Sequence, residues 1–396
     1  MPETAKKTQM FHFDEMAVLV KDKIDNPAEA DVDRYVGLEH LDPESLKIRR
    51  WGVPTDVEAS KLVFKSGDII FGKRRVYQRK LAVADFEGIC SAHAMVLRPK
   101  PDVVLPQFLP FFMQSDLFME RSLEISVGSL SPTINWKTLA KQVFALPPLE
   151  EQRRIAEVLQ AAEANINALR KLNHEMGKLR GSAIDSLTCG LAAGMSTVGE
   201  HCEMQNGRPF PGNEYCEDGQ LLLRPGNLDP SGYLTWDDDK TKRVPHRYRE
   251  EASDFVVNAG DVLINLTAQS LEDGFMGRVC IVRDGDESLL NQRIGRFRDF
   301  SERLIPEFLF RVLQNSSFKR HAIGMCEGSK IKHLFWEHIS RFQFPLPDID
   351  EQSRVIQELR GIDSAVGAAG ERIESAFKLK KRQVSSLLES HVEQSV

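Results

Sequence analysis

Two stretches decide the fold: ALPPLEEQRRIAEVLQ at residues 145–160 and FPLPDIDEQSRVIQELR at residues 344–360. When the chain is aligned with itself at an offset of 200, seven of the seventeen positions from Phe144 to Gln160 are identical. The identical pairs are Phe144/Phe344, Leu146/Leu346, Pro147/Pro347, Glu151/Glu351, Gln152/Gln352, Arg154/Arg354 and Leu159/Leu359. Prolines stop the preceding segment and acidic residues follow, which is typical of a helix start. The sequence therefore predicts that the chain begins a similar long helix twice.

The repeat extends upstream of both helix starts. At the same offset, the identical pairs are Pro106/Pro306, Phe108/Phe308, Leu109/Leu309, Gln114/Gln314, Phe118/Phe318, Gly128/Gly328, Ser129/Ser329 and Trp136/Trp336. Further upstream the offset changes to 193, where FKSGDIIF corresponds to VNAGDVLI through Gly67-Asp68 and Gly260-Asp261. The two copies thus share a framework and differ in the lengths of their loops.

Each copy has the pattern of a mixed α/β unit. Short apolar runs bounded by Gly, Asp and Pro predict strands at LVF, DIIF, HAMVL, DVLINL and RVCIV. Two longer segments, LPQFLPFFMQSDLFMERSL and IPEFLFRVLQNSSFKRHAI, carry apolar residues at helical spacing after a proline suited to a first turn. We read Trp136 and Trp336, at matching places in the copies, as core anchors rather than as platforms for stacked bases.

The long helices have the apolar spacing of coiled coils, with steps of 4 and 3 residues. In the first helix the seam is Ile155, Leu159, Ala162, Ile166, Leu169, Asn173 and Met176, and in the second it is Val355, Leu359, Ile362, Val366, Ala369, Ile373 and Ala376. The pattern lasts only about three heptads, so an ordinary amphipathic helix covering a core is the alternative.

Connectivity predicts how the two helices run. The first ends near Leu187, shortly before the second unit begins, and the second leaves that unit near Pro347, so a pair would be antiparallel. We expect an α+β protein with pseudo-twofold symmetry, in which two mixed α/β domains are separated by two long helices in an antiparallel coiled coil. The expected segments are domain 1 at 1–148, a central helix at 149–195, domain 2 at 196–348 and a C-terminal helix at 349–396.

Composition limits the possible classes. The chain has 396 residues, of which 41% are hydrophobic, and a formal net charge of −6. The sequence has no apolar run long enough for a membrane span and no signal-peptide core at its start, so we expect no membrane association and a cytoplasmic location. The six cysteines lack metal-binding spacing, which predicts reduced thiols and no metal site. Against this acidic total, residues 61–80 hold seven basic residues and one acid, a local positive patch; a solvated strand and turn is the alternative.

Motifs for catalysis are missing from the sequence. There is no N-P-P-Y or D-P-P-Y motif, no F-x-G-x-G loop and no G-x-x-x-x-G-K-[ST] phosphate loop. NPAE at Asn26 lacks the aromatic residue of the first motif, and the histidines of HLFWEH, His333 and His338, are spaced i and i+5, which does not place them on one helix face. We therefore expect no catalytic residues and no cofactor.

Two similar domains on a helical spacer suit a ligand with two separated half-sites, and double-stranded DNA has that regularity. The doubled helix start, the segment EMQNGRPFPGNEYCEDGQLLLRPGNLD at 203–229 and the Gly128-Ser129 and Gly328-Ser329 loops resemble the specificity subunits of type I restriction-modification systems. The resemblance covers essentially the whole chain and implies two target recognition domains, each reading half of a bipartite DNA target. It also implies that the helices set the gap and dock two methyltransferase subunits, that restriction subunits join the complex, and that this chain is a non-catalytic part of an adenine methyltransferase and endonuclease complex.

Two features depart from that family pattern. The first domain opens without the N-G-R-P-F element of the second, which predicts a different order of its first strands. The second domain has 19 basic against 24 acidic residues between 196 and 348, so we expect partner subunits to supply much of the affinity for the DNA backbone.

Phosphate contacts position a protein on DNA, whereas contacts to base edges specify sequence. For phosphate contacts we predict Lys73, Arg74, Arg75, Arg79, Lys80, Lys330 and Lys332. Arg suits guanine, and Asn or Gln suits adenine, in the major groove. The candidates for base contacts are Arg75, Gln78, His93, Arg208, Arg224, Asn227, Asn265, Gln269, Asn291, Gln292 and Arg293.

Several candidates have structural alternatives. Arg208 and Arg224 could form ion pairs with the acids between Glu214 and Asp218, Asn265 and Gln269 could shape a loop, and His93 could be a hydrogen-bonded strand residue. Two other classes of function compete with recognition. A self-contained DNA methyltransferase or nuclease would need a catalytic constellation that the sequence lacks, and a non-catalytic structural scaffold would need no DNA contacts.

Overall fold

The computed structural model of the protein describes residues 8–237 and 241–389, and these residues form two compact units. Unit 1 comprises residues 8–170 and 371–389, and unit 2 comprises residues 171–370 without the three undescribed positions. Each unit therefore combines a globular part with about half of each long helix. The N-terminal stretch judged to lack a signal peptide falls mostly outside the described residues.

The elements up to the end of the first long helix belong to the first copy of the repeat. Its strands are β1 (Gln9–His12), β2 (Ala17–Val20), β3 (Lys23–Ile24), β4 (Tyr35–Val36), β5 (Lys61–Phe64), β6 (Ile69–Gly72), β7 (Leu81–Val83), β8 (Gly88–Cys90), β9 (Ala94–Pro99) and β10 (Val143–Leu146). Its helices are α1 (Phe13–Met16), α2 (Leu109–Gln114), α3 (Asp116–Glu124), α4 (Trp136–Leu139) and the long α5 (Leu149–Cys189).

The second copy follows the same plan. Its strands are β11 (Met195–Thr197), β12 (Glu203–Asn206), β13 (Gln220–Leu223), β14 (Lys242–Val244), β15 (Val256–Val257), β16 (Val262–Asn265), β17 (Thr267–Ala268), β18 (Val279–Ile281), β19 (Ser288–Leu290), β20 (Ile294–Arg298), β21 (Lys332–His333) and β22 (Gln343–Pro345). Its helices are α6 (Tyr248–Glu251), α7 (Pro306–Leu313), α8 (Ser316–Met325), α9 (Trp336–Ser340) and the long α10 (Ile349–Glu389).

The two larger sheets of each unit correspond in most of their strands. One four-stranded antiparallel sheet has the order β2-β9-β6-β7 in unit 1 and β12-β20-β16-β18 in unit 2. A second sheet places β8 between parallel β4 and antiparallel β5, as β19 lies between β13 and β15. The units differ at the edge of this sheet, where β3 adds to β5 but β14 adds to β13. The first sheet thus keeps one strand order despite the atypical opening of the first copy.

The helical segment before each glycine-serine loop is split into two helices. The predicted 105–123 segment forms α2 and α3, because the Ser115 hydroxyl caps α3 by accepting a hydrogen bond from the Phe118 N–H at 3.3 Å. Asn315 caps α8 in the same way, at 2.7 Å from the Phe318 N–H. A short polar residue with extended backbone begins a new helix, which apolar spacing alone did not predict.

A buried glutamine fixes the start of each long helix. The Gln152 side-chain amide donates to the carbonyls of Val103 and Pro147, and its oxygen accepts the Leu105 N–H at 2.9 Å. In unit 2, Gln352 makes the corresponding bonds to Arg303, Pro347 and Ile305 at 2.8–2.9 Å. Each glutamine therefore ties the first turn of its helix to the loop that precedes α2 or α7.

The long helices complete the cores of both units. In unit 1, Ile155 and Leu159 of α5 and Val384 and Leu388 of α10 join a phenylalanine-rich cluster. Unit 2 has the reciprocal arrangement, in which α10 supplies its first turns and α5 its last turns, with Ile184 buried there. Each buried side chain of this kind contributes roughly 1.5–3 kcal/mol. At their ends, the long helices thus behave as the alternative interpretation predicted, as amphipathic helices that cover a core.

Within each unit the two long helices run antiparallel. In unit 1, Glu163 contacts Lys380, and seven residues further along α5 the Arg170 guanidinium lies 4.5 Å from the ring of Phe377. In unit 2, Arg180 forms an ion pair with Asp363 at 2.5 Å. The numbering of α10 falls as that of α5 rises, which confirms the predicted antiparallel pairing.

None of the helices within the described ranges is long and apolar enough to cross a lipid bilayer.

We predict that Gln152→Ala lowers the free energy of unfolding by about 1–3 kcal/mol, because a buried N–H and two carbonyls lose their partner. Arg154→Ala is the matched control, since Arg154 is exposed on the same turn and pairs only with Glu151 among the described residues. Its effect should stay within about 0.5 kcal/mol. Urea denaturation of both variants checks this, and equal destabilisation would contradict the role of Gln152.

Candidate nucleic-acid interface

Three loops of unit 1 meet beside the first sheet. In the turn after β6, the Lys73 N–H donates a hydrogen bond of 3.1 Å to the His93 carbonyl. His93 lies in the turn between β8 and β9. The Arg75 N–H donates to the Pro132 carbonyl at 2.8 Å, in the glycine-serine loop. These backbone bonds place Lys73, Arg74, Arg75 and His93 together, and we call these four residues the basic ridge.

The backbone of the ridge is held in a sparsely populated conformation. Arg75 and Arg79 have φ values of 57° and 51°, on either side of a 3-10 turn at Val76–Gln78. Non-glycine residues rarely adopt this left-handed region, and they keep it where the surroundings fix it. Two hydrogen bonds fix the backbone of Arg75 in this conformation. Its N–H donates to the Pro132 carbonyl, and its carbonyl accepts the Gln78 N–H at 2.9 Å. The turn leaves Arg75 exposed.

The predicted phosphate contacts of unit 1 separate into two groups. Within the described residues no carboxylate lies within 4.0 Å of the charged groups of Lys73, Arg74 or Arg75. Arg74 instead points its Nη1 at the Nε2 of His93, 3.4 Å away on the exposed β8–β9 turn. These cations are not neutralised by the protein and can attract a polyanion.

Arg79 and Lys80 are engaged inside unit 1. Arg79 pairs with Asp116 at 2.7 Å and Glu44 at 3.3 Å and donates to the Gln114 carbonyl at 2.6 Å. Lys80 donates to the Leu38 carbonyl at 2.7 Å. Such contacts favour a structural role for both residues over a phosphate contact. Gln78 lies half-buried in the short turn between them and Arg75.

The glycine-serine loop forms a closed hairpin tip. Val127 and Thr133 exchange two backbone hydrogen bonds of 3.0 Å, and Gly128 turns the chain with φ of 112°. The tip carries Leu130, whose exposure is 91%. The sequence analysis identified this loop from Gly128-Ser129 but missed the exposed apolar side chain of Leu130. The sequence feature that could have revealed it is an apolar residue within a short run of serines and proline.

Unit 2 repeats the meeting of loops with other side chains. The Leu266 N–H donates to the Arg293 carbonyl, and the Leu334 N–H to the Leu266 carbonyl, both at 2.9 Å. Glu327 and His333 close the second hairpin tip, and β17 pairs with β21. Arg293 thus takes the place of His93, and the tip carries exposed Lys330 and half-buried Lys332.

The N-G-R element of unit 2 packs on the turn that contains Asn291, Gln292 and Arg293. The Arg208 N–H donates to the Leu290 carbonyl at 3.2 Å and the Gln292 N–H to the Arg208 carbonyl at 3.0 Å. Glycine is required at 207, because a Cβ there would lie 2.1 Å from the Asn291 carbonyl oxygen. The structure therefore brings four predicted base-contact residues of unit 2 together, with Gln292 and Arg293 exposed.

The other predicted residues of unit 2 lie in different environments. Asn227 is buried, accepts the Arg224 N–H at 2.9 Å and donates to the Thr235 carbonyl. Asn265 is fully buried and donates to the carbonyls of Thr267 and Phe275 at 2.7 Å. These bonds favour the loop-shaping alternative for Asn265 and a structural role for Asn227. Gln269 is exposed beyond β17, and Arg224 is half-buried.

The alternative of ion pairs with nearby acids is resolved for the two arginines. Glu214 pairs with Arg247 and accepts the Tyr248 hydroxyl at 3.0 Å. Over the described ranges no ion pair links Arg208 or Arg224 to the acids between Glu214 and Asp218. The Arg208 guanidinium lies instead 5.2 Å from the ring of Phe210. The Arg208 side chain thus lies beside the turn that contains Gln292 and Arg293.

Trp136 and Trp336 pack against the cores of their units, which favours their interpretation as core anchors.

The two units present similar loop platforms with different exposed side chains, several of them cationic. This arrangement is typical of a nucleic-acid-binding protein.

Comparison with known proteins gives the same class. The family model described as the type I restriction modification DNA specificity domain matches residues 52–176 and 194–371. The MjaVIII specificity subunit of Methanocaldococcus jannaschii is 25% identical over 342 residues, which cover 82% of this chain and 76% of that protein. The EcoDI specificity subunit of Escherichia coli is 28% identical over 178 residues, which cover 43% of this chain and 38% of that protein.

A solved structure shares the fold. A chain from a structural study of complex assembly and conformational transition in the type I R-M system matches with a TM-score of 0.57 and 20% identity. The match covers 98% of this chain and 99% of that chain. The protein belongs to the type I restriction-modification DNA specificity family. It is the subunit that gives such a complex its DNA sequence specificity, as the family resemblance of its sequence implied.

We predict that the double substitution Lys73→Gln/Arg74→Gln leaves thermal stability unchanged but weakens DNA binding at all sequences. Each lost phosphate contact should reduce the slope of log affinity against log salt by about 0.9. Arg79→Gln should instead lower thermal stability, because it breaks two ion pairs and a hydrogen bond.

The control for the salt slope is Arg121→Gln/Lys137→Gln, two exposed cations of unit 1 that lie outside the three loops. Titrations of the assembled complex with DNA at several salt concentrations, together with thermal unfolding, check these variants. Equal salt slopes for the ridge variant and the wild type would contradict the phosphate assignment.

Proposed function

We propose that each unit reads one half of a bipartite double-stranded DNA target and that the helix pair sets the distance between the halves. The observation that carries this proposal is the repeated loop platform with unlike side chains. His93 in unit 1 corresponds to Arg293 in unit 2, and Leu130 corresponds to Lys330. One backbone arrangement with two side-chain sets suits two different short sequences, because base-edge contacts depend on side-chain chemistry.

Base contacts come mainly from the exposed turns in this proposal. Arg75 and His93 serve unit 1, while Arg208, Gln292 and Arg293 serve unit 2. Lys73, Arg74, Lys330 and Lys332 contact phosphates and position the platforms. Asn227 and Asn265 support the loops from inside. The division into recognition domains at 1–148 and 196–348, with helical segments between and after them, stays a prediction.

The chain acts as a non-catalytic part of its complex in this proposal. Two methyltransferase subunits dock on the helices, and restriction subunits join them, so that the chain supplies sequence choice and its partners supply adenine methylation and cleavage. The acidic balance of 196–348 fits this division, because partners would supply phosphate contacts that unit 2 lacks. The cytoplasmic location also stays a prediction.

A structural scaffold without DNA contacts is the second candidate. It would account for the long helices, but it gives no reason for unneutralised Arg74 and Arg75 on a turn held in a left-handed conformation. The methylation pattern separates the two candidates.

The test is methylation mapping by long-read sequencing of a host that lacks type I systems. The host expresses this chain together with its cognate methyltransferase subunit. We predict methylation at a bipartite motif with one fixed gap, only when both proteins are present. His93→Gln should change preference in one half-site and Arg293→Gln in the other, each with the partner half unchanged.

Three results would contradict the proposal. Methylation by the chain alone would make it an enzyme. An assembled complex without sequence-specific methylation would favour the scaffold. A change in both half-sites from either single substitution would contradict the assignment of one half-site to each unit.

A further inference from the structure

We propose that two buried charge clusters fix the axial register of α5 against α10, so that their residues are positioning residues for the gap between half-sites. This inference rests on the proposed function. The clusters consist of Gln114, Glu163 and Lys380 in unit 1, and of Arg180, Asp363, Gln314 and Arg311 in unit 2.

The unit 1 cluster joins three helices through one ammonium group. Lys380 of α10 is 4% exposed and donates to Glu163 of α5 at 2.5 Å and to Gln114 of α2 at 3.1 Å. Its Nζ also lies 5.5 Å from the ring of Phe111. A single side chain thus ties both long helices to the globular part.

The unit 2 cluster repeats this arrangement with the helices exchanged. Arg180 of α5 pairs with Asp363 of α10 at 2.5 Å and donates to Gln314, the residue after α7, at 3.2 Å. At the repeat offset of 200, Glu163 corresponds to Asp363, Lys380 to Arg180 and Gln114 to Gln314. The sequence repeat therefore places the same three roles at both ends of the helix pair.

The unit 2 cluster has additional members. Asp363 accepts hydrogen bonds from fully buried Arg311 at 2.5 Å and from the Tyr233 hydroxyl at 2.8 Å. Burial alone would raise the pKa of Asp363, but the bonds and charges of Arg180 and Arg311 outweigh it and lower the pKa. The carboxylate is thus charged at neutral pH and holds both arginines.

Stability alone does not account for such clusters. Replacing a buried ion pair with apolar residues of similar size often leaves stability unchanged or higher, whereas control of register is its best-attested use. The unit 1 cluster is also incompletely satisfied, because Glu163 Oε1 and Gln114 Nε2 have no hydrogen-bond partner within the described part. Selection of a single alignment therefore explains the cluster better than a gain in stability does.

An apolar seam with a seven-residue repeat tolerates a slip of one heptad, but the charges do not. A slip in one direction would move Lys380 opposite Arg170, a like charge, and in the other opposite Ala156. The same slips would bring Gly370 or Ile356 opposite Arg180. After a slip in either direction, Lys380 and Arg180 would be buried without a carboxylate partner, which is energetically costly. Only the observed register pairs both cations.

A slip of this size would matter for DNA. Seven residues correspond to about 10 Å along a helix at 1.5 Å per residue. That distance equals about three base pairs at 3.4 Å each. The register of the helix pair can therefore decide which gap between half-sites the complex accepts.

The test is Glu163→Met/Arg180→Met/Lys380→Met, which removes the interhelical charge pairs of both clusters while Asp363 keeps Arg311; it is made in the full complex with the methyltransferase subunit and read by methylation mapping and thermal unfolding. We expect both half-site sequences to be retained, while sites with other gaps rise to at least a tenth of the methylation at the wild-type gap. The control Glu351→Met/Arg354→Met removes an exposed ion pair of α10 and should keep the single gap. An assembled variant with one unchanged gap would overturn the proposal.

A second variant covers the case in which the methionine variant does not assemble. Glu163→Gln/Arg180→Gln/Lys380→Gln keeps polar side chains while removing the three charges, and the same broadening is expected, so an unchanged gap would again overturn the proposal. The wild type distinguishes this inference from the proposed function, because a wild-type complex without a bipartite motif would refute the latter, whatever the variants do.

Discussion

The burial of each long helix in two different cores is the constraint on which the rest of the structure depends. A 41-residue helix cannot bury its apolar stripe on one small globular part, so its first turns pack on the part that precedes it and its last turns on the other. Gln152 and Gln352 fix where each helix begins. The neighbouring loops are thereby held at defined places on each unit.

The recognition platforms follow from this framework. In both units the turn between two strands, the glycine-serine hairpin and the loop after a central strand are joined by backbone hydrogen bonds, which do not depend on side-chain identity. The exposed side chains can therefore diverge without disturbing the fold. Such freedom suits a DNA specificity subunit, and it explains how His93 and Arg293 can occupy equivalent places.

Local patterns predicted the repeat, the antiparallel long helices and the central strands, because periodicity, proline and glycine act over a few residues. They could not predict contacts between distant positions. Arg79 was placed among the phosphate contacts because its neighbours are basic, yet its partner Asp116 lies 37 residues away. Asn227 and Asn265 had suitable side chains for adenine, but burial turned them inward. The Lys380 and Glu163 pair spans 217 positions.

Native-state hydrogen exchange tests the sharing of the helices most directly. We predict that amides of α10 at 371–389 exchange with the same opening free energy as β6 of unit 1, whereas amides at 352–370 follow β16 of unit 2. The two halves of one continuous helix would then belong to different cooperative units. Exchange of the whole of α10 as a single unit, independent of both cores, would contradict the account.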